Sequence, residues 1–140
     1  NLYFELMPWL FLFLVPAIGM KAFSEEIKSG TIALLFTKPI SIWELILGKF
    51  LGMLFLISCS LFTSFIYAYI VIELKFEQDV FDWGAFWGSF LGLFFLAALF
   101  SSITLWCSCF SKNQVVAFLA AVLLCFLHFF GWGRSLTLLF

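Results

Sequence analysis

Charge is what this sequence lacks. Four long stretches, 6–20, 50–72, 84–110 and 115–133, contain no Asp, Glu, Lys or Arg. Charged residues make up only 11% of the 140-residue chain, against roughly 25% in an ordinary soluble domain. Ion-coupled carriers and proton relays place ionisable groups inside the bilayer, because those groups form the pathway. Their absence argues against ion movement through these helices as the energy source. Histidine is equally scarce: His128 stands alone, in an apolar run, and reads as an interfacial or packed side chain. The four cysteines, Cys59, Cys107, Cys109 and Cys125, also lie in apolar runs. Cys107 and Cys109 would point about 200° apart on a helix, so they cannot chelate together. No metal site is expected, and no cofactor. A membrane-embedded enzyme would need clustered acid, base or nucleophile groups within the spans, and none is there. The net charge of −1 gives no footing for nucleic-acid binding. No basic segment precedes the first apolar run as it would in a signal peptide.

Apolar surface, by contrast, is abundant. Hydrophobic residues make up 65% of the chain, which has a mean hydropathy of +1.18 and 22 phenylalanines. A soluble fold of this size leaves too much of its surface in water to hide that composition. A spanning helix needs roughly 20 mostly apolar residues. The pattern predicts an all-α, polytopic transmembrane protein of a single domain over 1–140, with spans at about 2–20, 50–72, 84–110 and 115–133. The first is the shortest: Leu6–Met20 must recruit Leu2–Phe4, with Glu5 near the interface, or thin the bilayer locally. Pro8 and Pro16 are tolerable where neighbouring helices satisfy the freed carbonyls.

Basic residues set the orientation. Lys21, Lys28, Lys38 and Lys49 fall between the first two spans and Lys112 between the last two, while only Lys75 and Arg134 fall on the other side. The 21–49 loop is therefore expected in the cytoplasm, and the 73–83 loop, with Glu73, Glu77, Asp79 and Asp82, outside. Trp9, Trp83, Trp87, Trp132 and Tyr67 fit an aromatic belt at the outer interface. Small residues let helices approach in lipid. Gly48 and Gly52 form one GxxxG step, Gly84, Gly88 and Gly92 form two more, and Ala117, Ala121 and Cys125 repeat every four residues. These can pack helices within one subunit or form a seam between two.

The 21–49 loop is too long and too patterned for a plain connector. Ser24 can N-cap a helical turn, or the first span can continue through it; in either case Glu25 and Glu26 are presented to water. Ser29-Gly30 breaks the helix, Gly30 supplying a backbone geometry other residues dislike. Thr31 then caps a short apolar helix with Ile32, Leu35 and Phe36 on one side. That helix can lie on the membrane surface or dock into a cytosolic protein. Pro39 stops it, and Ser41 with Glu44 forms a capping box for a helix running through Lys49 into the second span. The loop is thus expected to form a stiff hairpin beneath the membrane.

The sequence resembles the permease subunits of ABC-2-type transporters. The likeness is carried by Pro16–Lys21, Phe23–Glu26, Gly30-Thr31, Leu34-Leu35, Thr37–Ser41 and Leu47–Phe50. Within that family, Trp9–Pro16 and Ser111–Phe118 are most similar to the gliding-motility-associated ABC transporter permease of Bacteroidota. The resemblance implies a six-helix permease of the cell inner membrane that dimerises with a second permease copy and sits on a separate cytosolic ABC ATPase subunit. The four spans would be family helices two to five. The 21–49 loop would be the coupling hairpin, with Glu25, Glu26, Gly30, Thr31, Ile32, Leu35 and Pro39 as its contact, cap and stop residues. Ala33 stands where relatives often carry Glu, and Lys21 where many carry Arg, losing bidentate geometry. Gly48-Lys49 is no phosphate loop: Trp43 occupies the place of the first glycine and Phe50 that of Ser or Thr. The expected function is ATP-driven solute export powered by another polypeptide. The alternative is a non-transporting scaffold that anchors a cytosolic partner through the same hairpin.

Overall fold

The structure, a computed structural model, describes the backbone of residues 2–74 and 82–139, and the side chains within those ranges except at 2–4, 71, 72, 132 and 135–139. Among the described residues six helices follow one another: α1 (Leu2–Gly19), α2 (Ser24–Ser29), α3 (Ile32–Phe36), α4 (Ile42–Leu74), α5 (Trp83–Phe110) and α6 (Gln114–Leu139). No strand occurs among the described residues. Among the described residues, four segments are long and apolar enough to cross a membrane: Glu5–Ser29, Ile42–Ile70, Trp83–Phe110 and Gln114–Gly131. The all-α polytopic architecture expected from composition is therefore the one observed. Lys75, Glu77 and Asp79 of the expected outer loop lie outside the described residues, as do the side chains of Leu2–Phe4 and Trp132.

Helix α5 is the axis of the bundle, packing against α1, α4 and α6. Its buried side is a regular stripe of Phe86, Leu93, Ala97, Phe100, Thr104, Leu105 and Ser108. Three other stripes close on it: Phe11, Leu12 and Val15 from α1; Met53, Ile57 and Leu61 from α4; Ala117, Ala121 and Cys125 from α6. The small-residue repeat on α6 is fully used within the chain, which matches close helix approach in lipid. The hydroxyls of Ser101 and Thr104 donate to the carbonyls of Ala97 and Phe100 at 2.7 Å, so neither buried group is left unpaired.

Rings fix the helix directions at the end away from the hairpin. Trp9 meets Phe129 and Phe130 edge-on, and Phe65 meets Phe86, Trp87 and Phe90. At the other end Phe23 and Ser24 meet Ser108. Helices α1 and α5 therefore run parallel toward the hairpin, and α4 and α6 run away from it. The 21–49 loop and the 111–113 turn share one end of the bundle, the arrangement that the lysine distribution requires.

Asp82 starts α5: its Oδ1 accepts from the backbone N–H groups of Gly84 and Ala85 at 3.0 and 3.1 Å. A Cβ on Gly84 would sit 3.2 Å from that same oxygen, so Gly84 makes room for the cap. Gly48, Gly52, Gly88 and Gly92 have no atom of another element near the place a Cβ would take. They face outward. The tightest glycine is instead Gly19, whose Cβ would fall 2.5 Å from Met53 Cε and closer still to Thr104 Cγ2.

Candidate functional site

The 21–49 segment folds as a helix–break–helix–break hairpin whose final helix is the span itself. Helix α4 has 33 residues and is about 50 Å long, far more than the roughly 30 Å of bilayer hydrocarbon. The helix runs without interruption from the hairpin into the bundle. The start is a closed capping box. Ser41 N–H donates to Glu44 Oε2 at 2.9 Å, and Glu44 N–H donates to Ser41 Oγ at 3.3 Å. Pro39 stands three residues past the end of α3, where Thr37 Oγ1 donates to the Leu34 carbonyl at 2.6 Å.

Gly30 follows α2 with φ of +73°, the left-handed geometry that terminates many helices. Nothing crowds it, so the backbone angle alone makes glycine the suitable residue there. Thr31 precedes α3 but makes no side-chain cap. Its hydroxyl hydrogen-bonds Ser29 Oγ at 2.9 Å and reaches the Glu26 carbonyl, bracing the break against α2. The expected Thr31 cap is thereby corrected. So is the expected Ser24 cap: Phe23 holds the cap position, while Ser24 is the buried first residue of α2 and donates to the Met20 carbonyl.

Two interactions tie the hairpin to the bundle. Ser108 of α5, fully buried, accepts at Oγ from the backbone N–H groups of Phe23 (3.0 Å) and Ser24 (3.1 Å) and donates to the Met20 carbonyl at 3.3 Å. One hydroxyl thus satisfies two orphan donors at the start of α2. The second tie is Lys49 of α4. Its ammonium pairs with Glu26 Oε1 at 2.7 Å, donates to the Ala22 carbonyl and lies 4.6 Å from the centre of the Phe23 ring. The two side chains are only 21% and 28% exposed, so water screens the pair weakly. Glu26 was expected to face water with Glu25. It turns inward instead, and Glu25 alone is exposed.

The apolar knob on α3 is only partly covered. Ile32 and Leu35 are half-buried, while Leu34 and Phe36 are 66% and 61% exposed. Phe36, one turn after Ile32 on the same helix at the end of α3, is more exposed than Ile32 and Leu35. Beyond it, Ile40, Ile42 and Trp43 extend the exposed apolar surface into the start of α4. Reasoning from the sequence missed Ser108 altogether, because a serine inside an apolar run carries no mark of its partner. Lys49 was visible only as a topology-setting charge. Among the described residues no group of His, Cys, Asp and Glu could hold a metal ion.

The family model described as ABC-2 family transporter protein matches residues 3–139, nearly the whole chain. The chain belongs to the ABC-2 transporter family. No curated protein and no solved structure gives a significant match. As an ABC-2 protein it is a permease component of an ABC transporter, a multi-pass membrane protein whose family works with an ABC ATPase subunit. The lack of a phosphate loop around Gly48-Lys49 suits that division of labour.

Proposed function

We propose that this ABC-2 permease exports a solute across the cell inner membrane, and that the hairpin 21–49 receives the movement of a separate cytosolic ATPase and passes it to the spans. One observation supports the proposal: the hairpin is tied to two spans. Helix α4 is continuous from Ile42 to Leu74, and the α2 end of the hairpin is held to α5 by Ser108 and to α4 by Lys49. A push on α3 therefore passes through α2 to α5 and along residues 37–41 to α4. Leu34 and Phe36 supply the apolar contact and Glu25 an acidic one. Gly30, Thr31 and Pro39 shape the hairpin, Ile32 and Leu35 seat α3, and Glu26 acts from within through Lys49.

A second permease copy completes the transporter. Gly48 and Gly52 on α4, and Gly88 and Gly92 on α5, present open, small-residue surface for close helix approach. The likeness of Trp9–Pro16 and Ser111–Phe118 to the gliding-motility-associated permeases of Bacteroidota supports a role in gliding motility. The test is reconstitution with the ATPase in vesicles. The double variant Leu34→Asp/Phe36→Asp is expected to insert normally but to lose ATPase association and ATP-driven efflux. Wild-type association and transport in that variant would overturn the coupling role. Association without any transport by the unmodified pair would favour a scaffold.

A further inference from the structure

At the base of the hairpin, the start of α4 leaves apolar surface uncovered. Ile40, Ile42 and Trp43 are exposed, Trp43 at 74%. Pro39 separates them from α3 and from its Leu34 and Phe36. Trp43 also lies off the glycine face of α4: five residues before Gly48, it is turned about 140° round the helix axis. Length identifies what meets this surface. The apolar segment of α4, Ile42–Ile70, has 29 residues and is about 43 Å long, the thickness of a bilayer with its headgroup regions (roughly 40–45 Å). Tyr67, exposed near the far end, stands about 36 Å along the helix from Trp43. With α4 along the membrane normal, the two rings would stand about 3 Å beyond either edge of the hydrocarbon layer. That is the level where tryptophan and tyrosine gather. Lys49 is an independent mark of depth. Six residues past Trp43, it would sit about 6 Å inside the hydrocarbon edge, where a bare ammonium is costly. Its ammonium is provided for there by Glu26 Oε1 at 2.7 Å, the Ala22 carbonyl and the Phe23 ring. From Phe50 to Ile70 the segment holds no charge.

We propose that Ile40, Ile42 and Trp43 form an interfacial anchor, seating the base of the hairpin in the phospholipid headgroup layer on its own side of the membrane. The indole has an apolar body for the upper acyl chains and an N–H that donates to phosphate or ester oxygens. Lys38, exposed two residues before Ile40, adds an ammonium at the level of the phosphates. Glu44, the acid beside Trp43, turns its carboxylate back to the Ser41 N–H. Water at this level would leave three large apolar side chains solvated around one turn, whereas the headgroup layer covers them with no further protein. The anchor gives α4 an aromatic ring at each interface and so fixes how deeply the helix enters the bilayer. The ATPase contact proposed at Leu34 and Phe36 is a different surface. Failure of the anchor therefore leaves the coupling proposal standing.

The test uses the whole chain in phospholipid vesicles without the ATPase. Cys59 and Cys109 are replaced by serine, which leaves only the buried Cys107 and Cys125, and a bimane dye is attached at Trp43→Cys. Nitroxide-labelled lipids quench the dye from the headgroup level or from mid-chain, and iodide quenches it from water. Headgroup-level nitroxide is expected to quench about threefold more than mid-chain nitroxide, and iodide about threefold less than it quenches the same dye on free cysteine. The native residue supplies a second reading without a label. In lipid brominated near the headgroup, the quenched part of the tryptophan emission should be smaller in Trp43→Phe than in the unmodified protein. Adding the ATPase should shield the same dye at Phe36→Cys from iodide and leave Trp43→Cys in lipid, so the anchor and the coupling surface are read separately. Headgroup quenching no stronger than mid-chain quenching overturns the anchor, whether iodide reaches the site or another protein surface shields it. Equal quenched emission in Trp43→Phe and the unmodified protein does the same.

Discussion

Replacing Gly19 with alanine adds a single methyl group at the last residue of α1, where it meets atoms of both α4 and α5. In a helix with room around it, that exchange stabilises by roughly 0.5–1 kcal/mol, because glycine loses more backbone entropy on folding. At Gly19 the new Cβ would lie 2.5 Å from Met53 Cε and nearer still to Thr104 Cγ2. The two neighbours respond differently. Met53 Cε is the free end of a flexible chain and can swing aside. Thr104 cannot: it is 1% exposed, and its hydroxyl is tied to the Phe100 carbonyl at 2.7 Å, which fixes the methyl where it is. The clash therefore resolves by displacing α1 from α5, with overpacking costing about 1–3 kcal/mol.

Gly88→Ala is the internal control, since nothing lies near its Cβ position. The buried thiols of Cys107 and Cys125 provide the readout. After the exposed Cys59 and Cys109 are blocked, a thiol-reactive dye reports unfolding as temperature rises. Gly19→Ala should lower the midpoint by roughly 3–10 °C, and Gly88→Ala should leave it unchanged or raise it. Thr104→Ser removes the obstructing methyl while keeping the hydroxyl. The double variant Gly19→Ala/Thr104→Ser should recover about half or more of the loss, a coupling of about 1–2 kcal/mol between contacting residues. If Gly19→Ala melts with Gly88→Ala, or if the serine rescues nothing, the close approach of α1 to α5 at this corner is wrong.

Ser108→Ala should destabilise by about 2–4 kcal/mol, because it strands the Phe23 and Ser24 N–H groups in a buried place, and the same thiol-dye melt measures it. In vesicles its transport should fall further than its ATPase association does, because the contact surface remains while the link to α5 is lost. Lys49→Glu should abolish coupled transport by setting two carboxylates against each other. The exchange Glu26→Lys/Lys49→Glu should restore part of it, and a double variant no better than Lys49→Glu alone would rule out the ion pair as the link.

Much of this architecture is legible in the sequence because lipid imposes a strong and simple rule. Apolar length predicts the spans, and lysine placement puts the 21–49 hairpin and the 111–113 turn at one end; both need only hydropathy and counting. Local backbone chemistry is legible too. Gly30 in the left-handed region and the Ser41–Glu44 box depend on neighbours within a few residues. What the sequence conceals is everything decided by a residue far along the chain. Ser24 has the composition of a helix cap, yet Ser108, 84 positions away, takes over the capping of α2, and Ser24 turns back to Met20. Glu26 looks like one of two exposed acids until Lys49 arrives from α4. Thr31 is drawn to Ser29 for a similar reason: the turn at Gly30 brings the two hydroxyls together.

The glycines separate the two kinds of information most clearly. Spacing singles out Gly48–Gly52 and Gly84–Gly88–Gly92, because a repeat of four places small residues on one helix face. It says nothing about what that face meets. Among the described residues, none of these glycines admits a neighbouring helix; Gly84 serves the Asp82 cap, and the rest look outward. The glycine that does bring helices together, Gly19, belongs to no repeat and stands one residue before the end of the proposed span. The reason is geometric. A single close crossing near a helix end needs one small residue, whereas a long shallow seam needs several at regular intervals. The α1–α5 contact at the hairpin is the first kind. The outward faces of α4 and α5 have the form of the second, and a second permease copy is the surface that would use them.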